Sequence, residues 1–263
     1  MKEKVAQKSF IKKPIQGTKF TIAISSAKGG VGKSTFAVNL AMALKNLGSK
    51  VGILDADIYG PSLPKMMNIY QKPESDGNNL TPIKKYGVQC ISIGFLVDEK
   101  TPMIWRGPMV TNAIRTFTQK VLWNNLDFLI IDMPPGTGDT QLTFSQEIKI
   151  DGAVIISTPQ EIALLDVKRG IKMFDELGVK IIGLIDNMSY FEGDDGKKYN
   201  IFGESGVERI AKEYDKNFIG KIPISPDVGK AADNGKPLIE ENPEHRISKI
   251  YLELAKKIKS SFH

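Results

Sequence analysis

Residues 27–34 read AKGGVGKS, a run in which three glycines and two lysines precede a serine. The spacing fills the Walker A pattern, with Ala27 in the first glycine place. Glycine at 29, 30 and 32 lets the chain curl, so that successive N–H groups, those of Lys28 and Val31 among them, point into one hollow and donate to phosphate oxygens. Lys33 is expected to reach the β- and γ-phosphates of a nucleotide, and the Ser34 hydroxyl to hold Mg²⁺. Thr35 follows in the first helical turn, whose unpaired amides and positive end also favour an anion. The plainer reading, a glycine loop that merely turns, leaves both lysines without a purpose.

Four further polar residues follow apolar runs. Asp55 and Asp57 stand in LDADIYGPS, Asp132 in FLIIDMPPGTGD and Asn187 in GLIDNMSYF. FLIID is a Walker B reading, in which Asp132 lies near Mg²⁺, usually through water. Gly136, in the loop after it, can bring its amide to a γ-phosphate because glycine permits close backbone approach. Hydrolysis of a phosphoanhydride needs an in-line water, which a nearby carboxylate orients or deprotonates. The Asn187 carboxamide both donates and accepts, as an adenine edge requires, and Ile222 and Pro223 are placed to flank the ring. Any one of these aspartates alone reads as a strand-end or turn residue, and Asn187 as a turn asparagine. Three strand-end carboxylates beside a phosphate loop weigh against that reading.

The elements that must position these groups are legible in the hydrophobic pattern. Residues 20–24 are apolar and β-branched, as a buried parallel strand should be. Phe36, Leu40, Ala43 and Leu47 then recur at helical spacing, and Gly48 is placed to stop the helix. Further strands are expected over 51–54, 88–93, 128–131, 153–157, 179–185 and 218–222. Helices are expected over 108–123, 162–177 and 244–259, and residues 59–87 read as a long, partly irregular connection. Such alternation predicts an α/β fold: a doubly wound, mostly parallel sheet with helices on both faces. In that architecture ligands bind beyond the carboxyl ends of the strands, where all the residues above fall. The last helix carries Ile247, Ile250, Leu254 and Ile258 on one face with lysines elsewhere. Packing against the sheet is preferred over a place on a membrane surface.

Composition bounds the rest. The chain has 263 residues, 41% hydrophobic and 25% charged, with one cysteine, Cys90, and a formal net charge of +6. A disulfide framework is excluded. No stretch reaches membrane-spanning length, and the lysines at the start lack the apolar run of a secretory signal, so the cytoplasm is the expected compartment. Lys2, Lys4, Lys8, Lys12 and Lys13 gather in residues 1–17, which are expected to form a basic, flexible arm ahead of a single domain over 18–263. Phe10 is the arm's one aromatic, so a solvated tail is favoured over a nucleic-acid or lipid contact.

The doubled lysine narrows the class. KGGVGKS resembles the deviant Walker A motif of the MinD/ParA/nitrogenase-iron-protein group. That resemblance implies that Lys28 contacts phosphate across a dimer interface. It also assigns the water-orienting role to Asp57, places Asp55 nearer the metal with Ser34 and Asp132, and sets Asn187 against the base. Taken together, KGGVGKST, LDADIYGPSLP, WRGPM, DFLIIDMPPGTGD, STPQEIALLDVKRGI, DNMSYF and YNIFGESG are similar to the Mrp/ApbC family of P-loop NTPases over nearly the whole chain. The resemblance implies an ATP- and Mg²⁺-dependent homodimer with slow turnover, carrying iron–sulfur clusters between a scaffold and apoprotein clients. One departure stands out. Many members carry a C-x-x-C pair just after NMSYF, and two such pairs across a dimer could hold one cluster. Here residues 192–197 read EGDDGK. Asp194 and Asp195 are hard oxygen ligands and poor substitutes for thiolate, so the stretch reads as a turn, and Cys90, in VQCISI, reads as a small core hydrophobe. A MinD/ParA-like spatial-organisation ATPase shares the loop, but needs a membrane or DNA surface that only the basic arm or the last helix could supply. A small-molecule kinase fits neither the doubled lysine nor the lack of a second substrate domain.

Overall fold

A computed structural model describes residues 12–95 and 107–262. From the start of the domain the chain runs through β1 (Thr18–Ser25), α1 (Lys33–Asn46), β2 (Val51–Asp55) and the short α2 (Leu63–Met66). Four strands follow, β3 (Glu74–Ser75), β4 (Leu80–Thr81), β5 (Ile83–Lys85) and β6 (Val88–Ser92), and then a 3₁₀ turn over Ile93–Phe95. Next come α3 (Gly107–Gln119), β7 (Leu126–Asp132), α4 (Asp139–Glu147), β8 (Gly152–Ser157) and α5 (Glu161–Glu176). The chain closes with β9 (Ile181–Glu192), β10 (Lys198–Tyr199), α6 (Gly206–Glu213), β11 (Phe218–Ile224), α7 (Pro226–Asp233), α8 (Leu238–Glu241) and α9 (Arg246–Ser260).

The main sheet has the order β10-β9-β8-β1-β7-β2-β6-β5, with β11 also paired to β9. The inner pairs are parallel, and β5 and β10 run antiparallel. Strands buried on both faces must be apolar on both, which is why VGILD and GAVIIS read as continuous runs. One layer packs Phe36, Leu40 and Leu44 of α1 and Leu254 and Ile258 of α9 on Ile22, Ile24 and Ile130. The opposite layer packs Ile114 and Phe117 of α3, Phe144 of α4 and Phe174 of α5 on Ala23, Leu129, Ile131 and Ile155. Neighbouring residues of one strand thus feed different layers, and the doubly wound expectation holds. Gly48 ends α1 at φ +81°, where its amide donates to Lys45 and that of Ser49 to Leu44. α9 buries Ile247, Tyr251, Leu254 and Ile258, with Ile250 half-buried, so its apolar face is spent on the core. Among the described residues no helix is long and apolar enough to cross a membrane.

Several features depart from the sequence pattern. The connection over 59–87 contains α2 and β3–β5, all too short for a periodic signal. The helices α4, α6, α7 and α8 carry few apolar residues and were not anticipated. β9 runs on to Glu192 instead of stopping at 185, through Met188 at φ +53°. Residues 12–17 pack on the domain ahead of the expected boundary at 18: Lys12 Nζ donates to the Leu177 carbonyl, Lys13 bridges Ile148, and Ile15 is buried. The remainder of the expected arm, and Trp105 and Arg106 of WRGPM, lie outside the described residues. EGDDGK is a turn, as expected: it joins β9 to β10, with Gly193 N–H donating to Lys197 and Gly196 N–H to Gly193.

Candidate functional site

β1 delivers the chain to the carboxyl edge of the sheet at Ser25, and the glycine loop follows. Gly30 and Gly32 adopt φ +78° and +83°, conformations that side chains other than glycine's resist. A Cβ added at Gly29 or Gly30 would meet nothing within 4 Å, so the cradle opens outward. α1 starts directly after it with no side-chain cap and no acidic residue in its first turn. Its first amides are therefore left for an anion. Ala27 is half-buried, Val31 buried, Ser34 and Thr35 half-buried, and the Lys28 side chain exposed. No described carboxylate lies within ion-pair distance of Lys28.

Lys33 points back under the loop and is 6% exposed. Its Nζ lies 2.5 Å from Asp132 Oδ1, 3.7 Å from Asp57 Oδ2 and 3.4 Å from Ser34 Oγ. β2 and β7 are neighbours, with Asp55 directly opposite Asp132. Burial, opposed by the Lys33 ammonium, pushes the Asp132 carboxyl above the usual carboxylate range. Burial first and the Asp132 charge second push Asp55 up to about 7. The loop thus brings together the lysine, the hydroxyl and the two carboxylates Asp57 and Asp132 as the sequence implied.

Asp55, expected near the metal, is engaged by the loop that follows it. Its Oδ1 accepts from Asp57 N–H at 3.1 Å, and its Oδ2 from Ser62 N–H, Leu63 N–H and Ser92 Oγ–H at 3.1, 3.1 and 2.9 Å. Oδ2 thus accepts three hydrogen bonds and Oδ1 one, so most of the carboxylate's four or so acceptor positions are taken by the loop and by Ser92. Asp55 is the knot of the 56–63 loop. That loop in turn shapes Asp57, whose Oδ1 accepts from Tyr59 and Gly60 N–H while Oδ2 faces Lys33. Gly136 also differs: at φ +94° its amide donates to the Ser26 carbonyl at 2.9 Å, so in this conformation it is turned into the glycine loop and away from a phosphate position.

The residues expected at the base meet where α1, β9 and β11 come together. A cavity of about 220 Å³ is lined by Thr35, Asn187, Ile222, Pro223, Val228 and Tyr251, among others. It is far larger than one water needs, and mostly apolar with a few polar groups, the usual make-up of a small-molecule site. Asn187 and Pro223, expected at the base, both line it. Val228 and Tyr251 were missed. The available signal was the S-P-D start of α7 just after β11, where Ser225 Oγ accepts from Asp227 N–H and Pro226 fills the first turn. The bulge at Met188 had no sequence signal, since methionine gives no warning of positive φ.

The other candidates for cluster chemistry stay apart. Cys90 is fully buried in β6, and burial pushes its thiol up to about 12. Asp194 and Asp195 sit on the exposed β9–β10 turn. Among the described residues no group of three or more His, Cys, Asp or Glu side chains is placed to hold a metal ion. Mg²⁺ on a nucleotide makes a smaller demand, one or two protein oxygens beside the phosphates, and Ser34 and Asp132 fit it.

A family model described as NUBPL iron-transfer P-loop NTPase matches residues 17–259. An iron-sulfur cluster carrier protein of Aquifex aeolicus is 45% identical over 95% of this chain and 70% of its own length. The iron-sulfur cluster transfer protein NUBPL of Mus musculus is 48% identical over 94% of this chain and 78% of its own length. A solved nucleotide-binding protein from Archaeoglobus fulgidus, in complex with ADP, superposes with a TM-score of 0.78 at 37% identity, covering 90% of this chain and 93% of that one. The glycine cradle, the buried lysine below it and a match over nearly the full sheet agree: the chain belongs to the NUBPL iron-transfer P-loop NTPases.

Proposed function

We propose that this protein is a nucleotide-switched carrier that binds ATP, hydrolyses it slowly, and uses the cycle to pass iron–sulfur clusters to apoproteins in the cytoplasm. The observation that carries the reading is Lys33, buried beneath an open glycine cradle and shared between Asp132 and Asp57. A lone ammonium against two carboxylates is a site waiting for a cation-bearing phosphate, because Mg²⁺ and the phosphates would redistribute that charge. In the proposed assignment the amides of residues 27–35 and Lys33 hold the phosphates. Ser34 and Asp132 would hold Mg²⁺, which would neutralise phosphate charge, and Asp57 orients the attacking water. Asp55 shapes the loop that presents Asp57. Gly136 leaves Ser26 and turns to the γ-phosphate when ATP is bound. Asn187 and Pro223 hold the base. Lys28, exposed and unpaired, reaches the nucleotide of a second copy, so that ATP closes a homodimer and hydrolysis opens it.

The cargo is written as substrate. The chain has one cysteine, buried, with its thiol held protonated, so its own thiolates do not make a four-cysteine site. The cluster is then held mainly by thiolates of the scaffold or client, and this chain contributes the nucleotide-dependent grip. The test is anaerobic incubation with iron and sulfide, with visible spectroscopy and size measurement with and without ATP. ATP-dependent dimerisation with no stable cluster on the chain alone is expected. A stoichiometric cluster on the isolated chain would overturn the cargo assignment, and absence of any nucleotide uptake would overturn the whole reading.

A further inference from the structure

The stretch that follows β7 is fastened to the last residues of β1 at three points. Met133 N–H donates to the Ile24 carbonyl at 3.0 Å, Gly136 N–H to the Ser26 carbonyl at 2.9 Å, and Gln141 Nε2–H to Ser25 Oγ at 2.5 Å. The first continues the sheet just past the end of β7. The other two tie the loop before α4, and α4 itself, to the strand that leads into the glycine cradle. Gln141 is 1% exposed and Ser25 2%, so their bond is closed to solvent.

The seat of α4 is unusual. Its buried residues among those described are Gln141, Phe144 and Ser145, which share one face at i, i+3 and i+4. On the same side of the sheet α5 buries Leu164, Val167, Ile171 and Phe174. Gln141 Oε1 and Ser145 Oγ are buried without a protein partner. Buried polar atoms left unpaired cost free energy, so α4 rests on a face that is neither apolar nor fully paired. Elements with few buried apolar contacts are among the first to move. At its far end Glu147 pairs with Arg115 of α3 at 2.9 Å, which tethers that end and leaves Gln141 to hold the start.

We infer that Gln141 and Ser25 form a latch that holds α4 against β1 until a γ-phosphate arrives, and that this latch sets how strongly the protein prefers ATP over ADP. This rests on the nucleotide reading above, in which Gly136 leaves Ser26 for the γ-phosphate, and it names the side chains that resist the move. Gly136 and Gln141 lie in one short segment and are tied to adjacent residues of one strand. Drawing Gly136 off Ser26 pulls on the start of α4, and the Gln141 bond opposes the pull. ADP makes no such demand and leaves the latch closed. The cost of opening falls on ATP alone and lowers its apparent affinity by the fraction of molecules that are open. Gln141 is thus a positioning residue that acts through Gly136.

The test titrates ADP and the non-hydrolysable analogue AMP-PNP into the full chain, Ser25→Ala, Gln141→Met and the double variant, with affinities from calorimetry. Ser25→Ala removes the acceptor and leaves Gln141 in place, so only the latched state loses a bond. AMP-PNP should then bind about three- to tenfold more tightly relative to ADP, the range of one hydrogen bond, with ADP itself unchanged. In the Gln141→Met background the same Ser25→Ala change should move the ratio by less than about twofold, because its partner is gone. Equal effects in both backgrounds would overturn the inference. So would equal weakening of both nucleotides in Ser25→Ala, the mark of a merely structural bond. Should Ser25→Ala not fold, hydrogen exchange on the unaltered chain decides. Exchange of the α4 amides should differ by at least about threefold between the ADP and AMP-PNP complexes, and identical rates would overturn the latch. Binding of both nucleotides with an unmoved ratio in Ser25→Ala would sink this inference and leave the nucleotide reading standing, whereas no uptake of either would remove both.

Discussion

Asp55 and Asp186 sit on strands of the same sheet, both are 0% exposed, and burial pushes both up to about 7. Their surroundings are opposite. Asp55 accepts from three backbone amides and the Ser92 hydroxyl. Both oxygens of Asp186 lack a partner. Its register neighbours are Ser157 on β8 and Lys221 on β11, yet the Lys221 ammonium bonds Ser205 Oγ at 2.8 Å and Glu208 at 3.0 Å. Lys221 still lowers and Glu208 raises the Asp186 carboxyl, but desolvation outweighs both. A buried carboxylate without donors is costly, and its proton relieves the cost. Burial alone therefore does not mark a working acid. The donors around Asp55 build the loop that sets Asp57 beside Lys33, whereas Asp186 organises nothing around it.

The largest effect should come from the nucleotide side of this contrast. Lys33→Ala removes the ammonium shared by Asp132 and Asp57, and phosphate release should fall by more than about a hundredfold. Retained turnover would place the chemistry elsewhere. Asp55→Asn offers an amide to several N–H donors, and leaving those buried donors facing N–H₂ should destabilise the fold by roughly 2–4 kcal/mol. Urea midpoints will show it, and turnover should drop with the displaced Asp57. An unchanged midpoint would mean that the knot is not needed.

Asp186→Asn should leave turnover intact and change the pH dependence of stability instead. The folded chain holds this proton up to about pH 7, and the unfolded chain releases it near the ordinary carboxylate value. The group's stabilisation is therefore complete below that value. It declines by roughly 1.4 kcal/mol per pH unit as pH rises toward 7, and is gone above it. The asparagine variant should lack that decline, so the wild-type stability should fall away from the variant's as pH rises from 4.5 to 7.5, and parallel pH profiles would contradict the assignment. Smallest is Cys90, another buried titratable group: with its thiol held protonated up to about 12, it should resist alkylation in the folded chain, and Cys90→Ala should cost about 1 kcal/mol. Rapid labelling under native conditions would reopen the question of a cluster thiolate.

The phosphate end was legible because its chemistry is local. Gly30 and Gly32 at positive φ, and Lys33 at the first turn of α1, follow from eight adjacent letters and the strand and helix on either side. The alternation of apolar runs likewise contained the doubly wound sheet. The roles within the set were less legible. LDADIY places two carboxylates two residues apart, and nothing in that spacing says that one would be consumed by Ser62, Leu63 and Ser92 while the other faced the lysine. Tyr251 comes to the cavity beside Asn187 from α9, far along the chain, and no periodicity connects them.

The order of residues by itself determined the cradle, the sheet and the absence of a thiolate set, since each depends on neighbours in the chain or on residue types present. Tertiary structure alone decided which aspartate is a knot and which faces Lys33, that the Gly136 amide is engaged by Ser26, and that the Gln141 amide is engaged by Ser25. Those outcomes depend on which donor meets which acceptor across strands, a competition that is settled only when the sheet brings distant residues within about 3 Å of one another.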